Sequence, residues 1–132
     1  MEFTGEPETN ALKSSADFRN NSDYLYAIDL INHGYYWECH AYLESLWNEH
    51  NRTDDYAILF KAIIKIAAGL LKRDMGQESA CTTHLERCLE LLDQLDYEEF
   101  CGIELMELKV LVSHMLSKPL ESRPDLIIKL RL

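Results

Sequence analysis

Proline and glycine are scarce in this chain, at 3 and 5 of 132 residues. Folds built from many short strands need such residues at their turns, so a sandwich or barrel is not expected. Long apolar runs are also missing. Nothing approaches the roughly 18 consecutive apolar residues of a membrane-spanning helix. The first twenty residues have neither a basic n-region nor an apolar h-region, so no secretory signal is read and the expected location is cytoplasmic. Basic side chains are in the minority, with 13 Lys and Arg against 23 Asp and Glu and a net charge of -10. Nucleic-acid backbones are bound by clustered cations, so a nucleic-acid partner is not expected, nor is a membrane. The chain has four cysteines, Cys39, Cys81, Cys88 and Cys101. All fall inside helical patterns as small apolar residues, and Cys81 and Cys88 lie about 10 Å apart along one helix, too far for a disulfide. The P-loop, GxSxG, HExxH, EF-hand and CxxC patterns are all absent, which removes the enzyme classes they mark.

What is present is helical patterning over an apolar content of 47%, enough for one core in a chain this long. Residues 1–21 are polar and are expected to form a flexible N-terminal arm, with a single helical domain over 22–132. Ser22 is a candidate N-cap for a helix from Asp23, and Gly34 a candidate stop. A second helix is predicted from about Tyr35 to Asn51, its apolar face marked by Tyr36, Cys39, Leu43, Leu46 and Trp47. Asn51, Arg52 and Thr53 form the next turn. The third helix, about residues 56–75, is apolar nearly all round from Tyr56 to Leu71, interrupted at Lys61, Lys65 and Gly69, which places it inside a bundle. A fourth helix runs from about Glu78 to Leu95 and a fifth from about Tyr97 to Leu116, ending near Pro119. The tail carries Ile127 and Ile128 and docks extended or as a short turn; the sequence leaves both open. The expected fold is all-α, a five-helix bundle packed around the central apolar helix.

Polar residues on faces that should be apolar are the candidates for function. Counting about 100° per residue from Tyr36, His40 falls near 40° and Glu44 near 80°, beside Leu43 and Trp47. An imidazole and a carboxylate one turn apart can share a proton, orient one another or bind a divalent metal. The commoner reading of such a pair is a core histidine with its hydrogen bond satisfied. On the third helix Lys61, Lys65 and Lys72 fall at about 0°, 40° and 20°, one narrow stripe. They form either a wet edge with snorkelling stems or partners for a buried Glu44. Cys81, His84 and Cys88 share a face of the fourth helix, where packing is preferred over zinc ligation. His33, His50 and His114 sit near helix ends, where a cation suits the helix dipole.

The stretch from Asn32 to Trp47 resembles the signature N-x-G-x-Y-x-E-x-H-E-x-L-E-x-x-W of an uncharacterised helical family, domain of unknown function 309. His40, Glu44 and Trp47 fill its H-x-x-x-E-x-x-W kernel, with Asn32, Gly34, Tyr36, Glu38 and Leu43 also in place. Residues 60–80 resemble the family's second motif, an apolar helix and a short turn. The resemblance implies a helical bundle and carries the label of a predicted metal-dependent hydrolase. It also marks departures. Ala41 stands where the family has a second Glu, Lys61 and Lys65 where it has Gln, and Lys72 near a usual His. These exchanges make the site less able to hold a cation.

Two function classes fit these residues. The preferred one is a non-catalytic binding or interaction module for a small molecule or protein, with Glu38, His40, Glu44, Trp47, Lys61 and Lys65 as a buried polar cluster. The other is a metal-dependent hydrolase-like enzyme with His40 as base or ligand, Glu44 as orienting carboxylate or ligand, and Lys61 or Lys65 stabilising charge. No cofactor is expected and no metal ligand set is assigned. A homodimer built on exposed Tyr24, Tyr26 and Trp37 is compatible with either class.

Overall fold

Helix α3, Asp55–Asp74, begins where Asp54 turns its carboxylate onto the first turn, Oδ1 accepting the amide of Ala57 at 2.7 Å. Such a cap satisfies one of the amides that a helix start leaves without a partner. The helix then buries Leu59, Phe60, Ala62, Ile63, Ile66, Ala67 and Leu70. It can do so because it packs against α2, Tyr36–Glu49, on one side and α4, Glu78–Leu92, on the other. Before them lie a 3-10 turn, Ser15–Asn20, and α1, Ser22–Asn32; after them come β1, Glu99–Phe100, β2, Ile103–Glu104, and α5, Leu105–Ser117. The computed structural model describes residues 11, 12, 14–50, 54–118 and 127–132. The chief helix contacts join sequence neighbours, α1 to α2, α2 to α3, α3 to α4 and α4 to α5. The protein is thus an all-α bundle with α3 at its middle. Among the described residues no helix is long and apolar enough to cross a membrane.

Most boundaries follow the sequence pattern. Gly34 ends α1 as expected, its amide bonding to Ile31 O at 3.2 Å while that of Tyr35 reaches Leu30 O at 2.8 Å. The cap of α1 is Asn21, one residue ahead of the expected Ser22, with Oδ1 accepting the amide of Tyr24 at 2.9 Å. The stretch expected to be a loose arm carries the 3-10 turn at its end, and Leu12 and Phe18 are buried. Residues 1–10 and 13 of that stretch, the turn at 51–53 and the segment 119–126 lie outside the described residues.

The fifth helix is shorter than expected. Residues 99–104 form a two-stranded antiparallel hairpin, Phe100 opposite Ile103, and α5 starts at Leu105. The two turn residues, Cys101 and Gly102, have φ of 51° and 78°. A two-residue hairpin needs left-handed backbone at both positions, and a residue-glycine pair supplies it. Cys101 is held there from two sides. The buried Tyr24 hydroxyl donates to its carbonyl and its own amide donates to Ser15 Oγ, both at 2.8 Å. All four cysteines are free and buried. Burial pushes the Cys39, Cys88 and Cys101 thiols up to about 12.

The tail docks extended. Leu130 bridges Ile103 in antiparallel fashion, and the Arg131 amide donates to Gly102 O at 2.7 Å. Asn32 fastens the tail to α1, its Oδ1 accepting the amides of Ile127 and Ile128 and its Nδ2 donating to Ile128 O, all within 2.9 Å.

Gly102→Ala is expected to be severe, because the added Cβ would sit 2.5 Å from two ring carbons of buried Phe18 on a left-handed backbone. The two penalties together come to ~2–4 kcal/mol, a fall in Tm on the order of 10 °C by calorimetry. An unchanged Tm would mean that the hairpin does not rest on Phe18. Asn32→Ala is expected to accelerate amide exchange at Ile127 and Ile128 far more than in α3. Exchange that speeds equally everywhere would place the role of Asn32 in global stability.

Candidate functional site on the α2–α3–α4 face

The face is set by the rotational phase of α2. Cys39, Leu43 and Leu46 are fully buried, while Tyr36 and Trp47 are only partly so. The buried centre therefore lies about 50° from Tyr36, on the side away from His40. His40 is left about 90° off that centre and Glu44 about 130°. Their side chains are accordingly 36% and 47% exposed. The expected buried cluster is corrected by this: the pair sits half-open on the surface, because α2 turns Cys39, not Tyr36, into the core. The two remain together, with His40 Nε2 3.5 Å from Glu44 Oε2. The indole of Trp37, 66% exposed, lies beside the imidazole with ring centroids 6.2 Å apart.

Lys61 reaches α2 at a different point from the one expected. Its Nζ lies 5.3 Å from the ring centroid of Trp47, a cation–π contact across the helix pair. Among the described residues the ion pair of Glu44 is with His40, and no lysine of α3 joins it. Glu38, in the first turn of α2, is exposed. Among the described residues no hydrogen bond or ion pair ties it to the rest of the candidate set. Tyr24, expected to be exposed, is fully buried, whereas Tyr26 is 49% exposed.

The pattern reading missed His84 as a member of this face. Cys81 and Cys88 turn into the core, and His84 stays at the margin of α4. Burial, then Lys65, Lys72 and His40 in that order, hold its proton affinity below the ordinary histidine value. The imidazole is thus within the field of two lysines of α3. The antiparallel register explains why. α3 and α4 meet at a turn around Gly76, so Gly69 and His84 stand almost equally far from it. Gly69 admits α4 closely; a Cβ there would meet Leu85 Cδ2 at 3.2 Å and Cys81 O at 3.4 Å. Counting outward from the turn would have paired these positions from sequence.

Two other polar groups are sealed from solvent. Arg73 reads as a basic residue in the last turn of α3, yet its side chain is only 4% exposed. It donates to Asp74 Oδ1 at 3.1 Å and reaches the Tyr36 hydroxyl at 3.5 Å, tying the end of α3 to the start of α2. His50, expected to serve the dipole of its helix, is the sealed histidine, at 6%. Its Nε2 accepts the Leu12 amide at 3.0 Å, Nδ1 faces Asp54 at 3.3 Å, and the rings of Tyr56 and Phe60 pack on it. A cleft of about 200 Å³ between β2, α5 and the tail, edged by Glu104 and Glu107, contains none of the expected site residues.

A divalent-metal centre needs three or more protein donors aimed at one point. His40 and Glu44 supply two. Among the described residues no group of three His, Cys, Asp or Glu side chains is gathered to hold an ion. The residues of this face do not fit a resident divalent metal.

Fold and face together define an all-helical domain with a mixed, partly open polar surface on its three central helices. Residues 24–83 match the profile of the family described as Domain of unknown function (DUF309). The match spans α1, α2, α3 and the start of α4. No curated protein matches the chain.

The crowding of His84 has a consequence for stability. A histidine that binds its proton less readily folded than unfolded favours folding in full above the unfolded pKa, about 6.5, and this is lost as pH falls through and below it. His84→Gln, which never charges, is therefore expected to shrink the drop in Tm between pH 7.5 and 5.5. Identical drops in the two proteins, measured by calorimetry, would remove His84 from the cationic field.

Proposed function

We propose that this protein is a non-catalytic binding module whose ligand face is the partly open surface of α2, α3 and α4. The observation that carries this is the placement of His40 and Glu44. They stand together on the surface, half exposed, and among the described residues no third His, Cys, Asp or Glu joins them to hold a metal. Around them Trp37 offers an open aromatic surface and Lys61 lies against the Trp47 ring. Such a mixture of rings, charges and hydrogen-bonding groups is the equipment of recognition. The hydrolase-like alternative keeps one specific support, the His40–Glu44 pair, in which Glu44 could orient the ring for proton transfer. Among the described residues no group of three His, Cys, Asp or Glu side chains offers the metal site that its label calls for.

Metal content separates the two. Protein purified without a histidine tag is expected to hold far less than one equivalent of zinc, manganese or iron, and His40→Ala is expected to leave that content unchanged. Glu44→Gln should move stability by no more than about 0.5 kcal/mol, since half-exposed pairs contribute little. One equivalent of metal that disappears with His40→Ala would overturn the module reading in favour of the enzyme.

A further inference from the structure

The chain is strongly acidic, and among the described residues four cations, Arg73, Arg87, Lys109 and Arg131, pair with a carboxylate. Arg87 pairs with Glu90 at 2.8 Å, Lys109 with Asp93 at 3.2 Å and Arg131 with Glu107 at 3.7 Å. Lys61, Lys65 and Lys72 do not, and neither do Arg19, Lys118 and Lys129. Among the described residues no carboxylate lies within ion-pair distance of any of them, although acids outnumber bases 23 to 13 in the chain. Lys61 is taken up by the Trp47 ring. Of the α3 lysines, Lys65 and Lys72 remain, about 10 Å apart along the helix and about 20° apart around it.

Gly69 lies between them along α3, turned about 40–60° from them toward α4, and its missing side chain is where α4 makes its close approach. His84 sits on α4 between the two residues that touch that point, Cys81 and Leu85. That register sets His84 level with the stretch of α3 between Lys65 and Lys72, and the charge of both lysines acts on its ring. Burial first, and then Lys65 and Lys72, hold the proton affinity of His84 low.

The donor types narrow the ligand. Planar carboxylates are gripped by the fork of an arginine, and the arginine of this end, Arg73, is engaged with Asp74. Lysines act as separate point charges, which suit a multivalent anion with oxygens facing several ways. We propose that Lys65, Lys72 and His84 form a binding site for a phosphorylated small molecule, with a diphosphate-sized group lying across the seam between α3 and α4. The assignment rests on the module reading above and names its ligand class.

Isothermal titration with inorganic pyrophosphate tests it. Wild-type protein is expected to bind at low salt and more weakly at physiological salt, as screening demands. Lys65→Gln and Lys72→Gln are each expected to weaken binding about tenfold or more, and His84→Asn by several-fold. Lys129→Gln, an exposed lysine elsewhere, should leave binding unchanged, as should Glu44→Gln unless relief of repulsion tightens it. Circular dichroism on each variant separates lost binding from lost fold. Absence of binding at low salt, binding that survives both α3 lysine variants in folded protein, or equal weakening by Lys129→Gln would overturn the assignment. The module reading falls on a different result, the one equivalent of metal lost with His40→Ala.

Discussion

The constraint on which the structure depends is the enclosure of α3 between two neighbours. A helix apolar on most of its circumference must be covered on most of it, and α2 and α4 provide that cover. What they leave open is a narrow edge, and the polar residues of α3 stand there. The same enclosure sets the rotation of α2 and α4. Each turns its own apolar row, Cys39–Leu43–Leu46 or Cys81–Leu85–Cys88, toward α3, so the residue next to each row is carried to the seam. His40 follows Cys39 and His84 precedes Leu85. The surface chemistry of this face is therefore a by-product of how two helices bury their rows against a third.

The ends of the chain are clipped to this core by hydrogen bonds of long sequence separation. Leu12 reaches His50, Ser15 reaches Cys101, Tyr24 reaches Cys101 and Asn32 reaches the tail. Each joins groups wholly or partly withdrawn from water, where an unmade bond costs more than a made one contributes. Their joint effect is to hold the hairpin and the extended tail against α1. Elements of two residues per strand have little stability of their own and need such packing.

Helix existence was legible because burial imposes a period that residues must obey. α3 was placed within a residue at each end, and Gly34 stopped α1 where a left-handed residue was needed. Local backbone chemistry was harder to see. Phe100, Ile103 and Leu105 satisfy a helical spacing loosely, and this hid the Cys101-Gly102 pair that makes a hairpin turn. The site suffered from a choice of origin. Taking Tyr36 as the middle of the α2 face moved the supposed interior by half a helix quadrant, enough to bury His40 and Glu44 on paper. Which apolar residue is central is decided by the partner helix, and one helix's own spacing does not contain that information. The field at His84 needed two helices in register, and Arg73 needed the neighbouring Tyr36 and Asp74 to make burial tolerable.

The family-like signature divides accordingly into two kinds of residue. Asn32 holds the tail, Gly34 ends a helix, Cys39 and Leu43 fill the core, and Trp47 packs against it while meeting Lys61. Fold accounts for each of these. His40 and Glu44 are held by neither core packing nor a buried bond, and a half-exposed pair of this kind adds at most about 1 kcal/mol to stability. A glutamine and an alanine would serve the fold nearly as well.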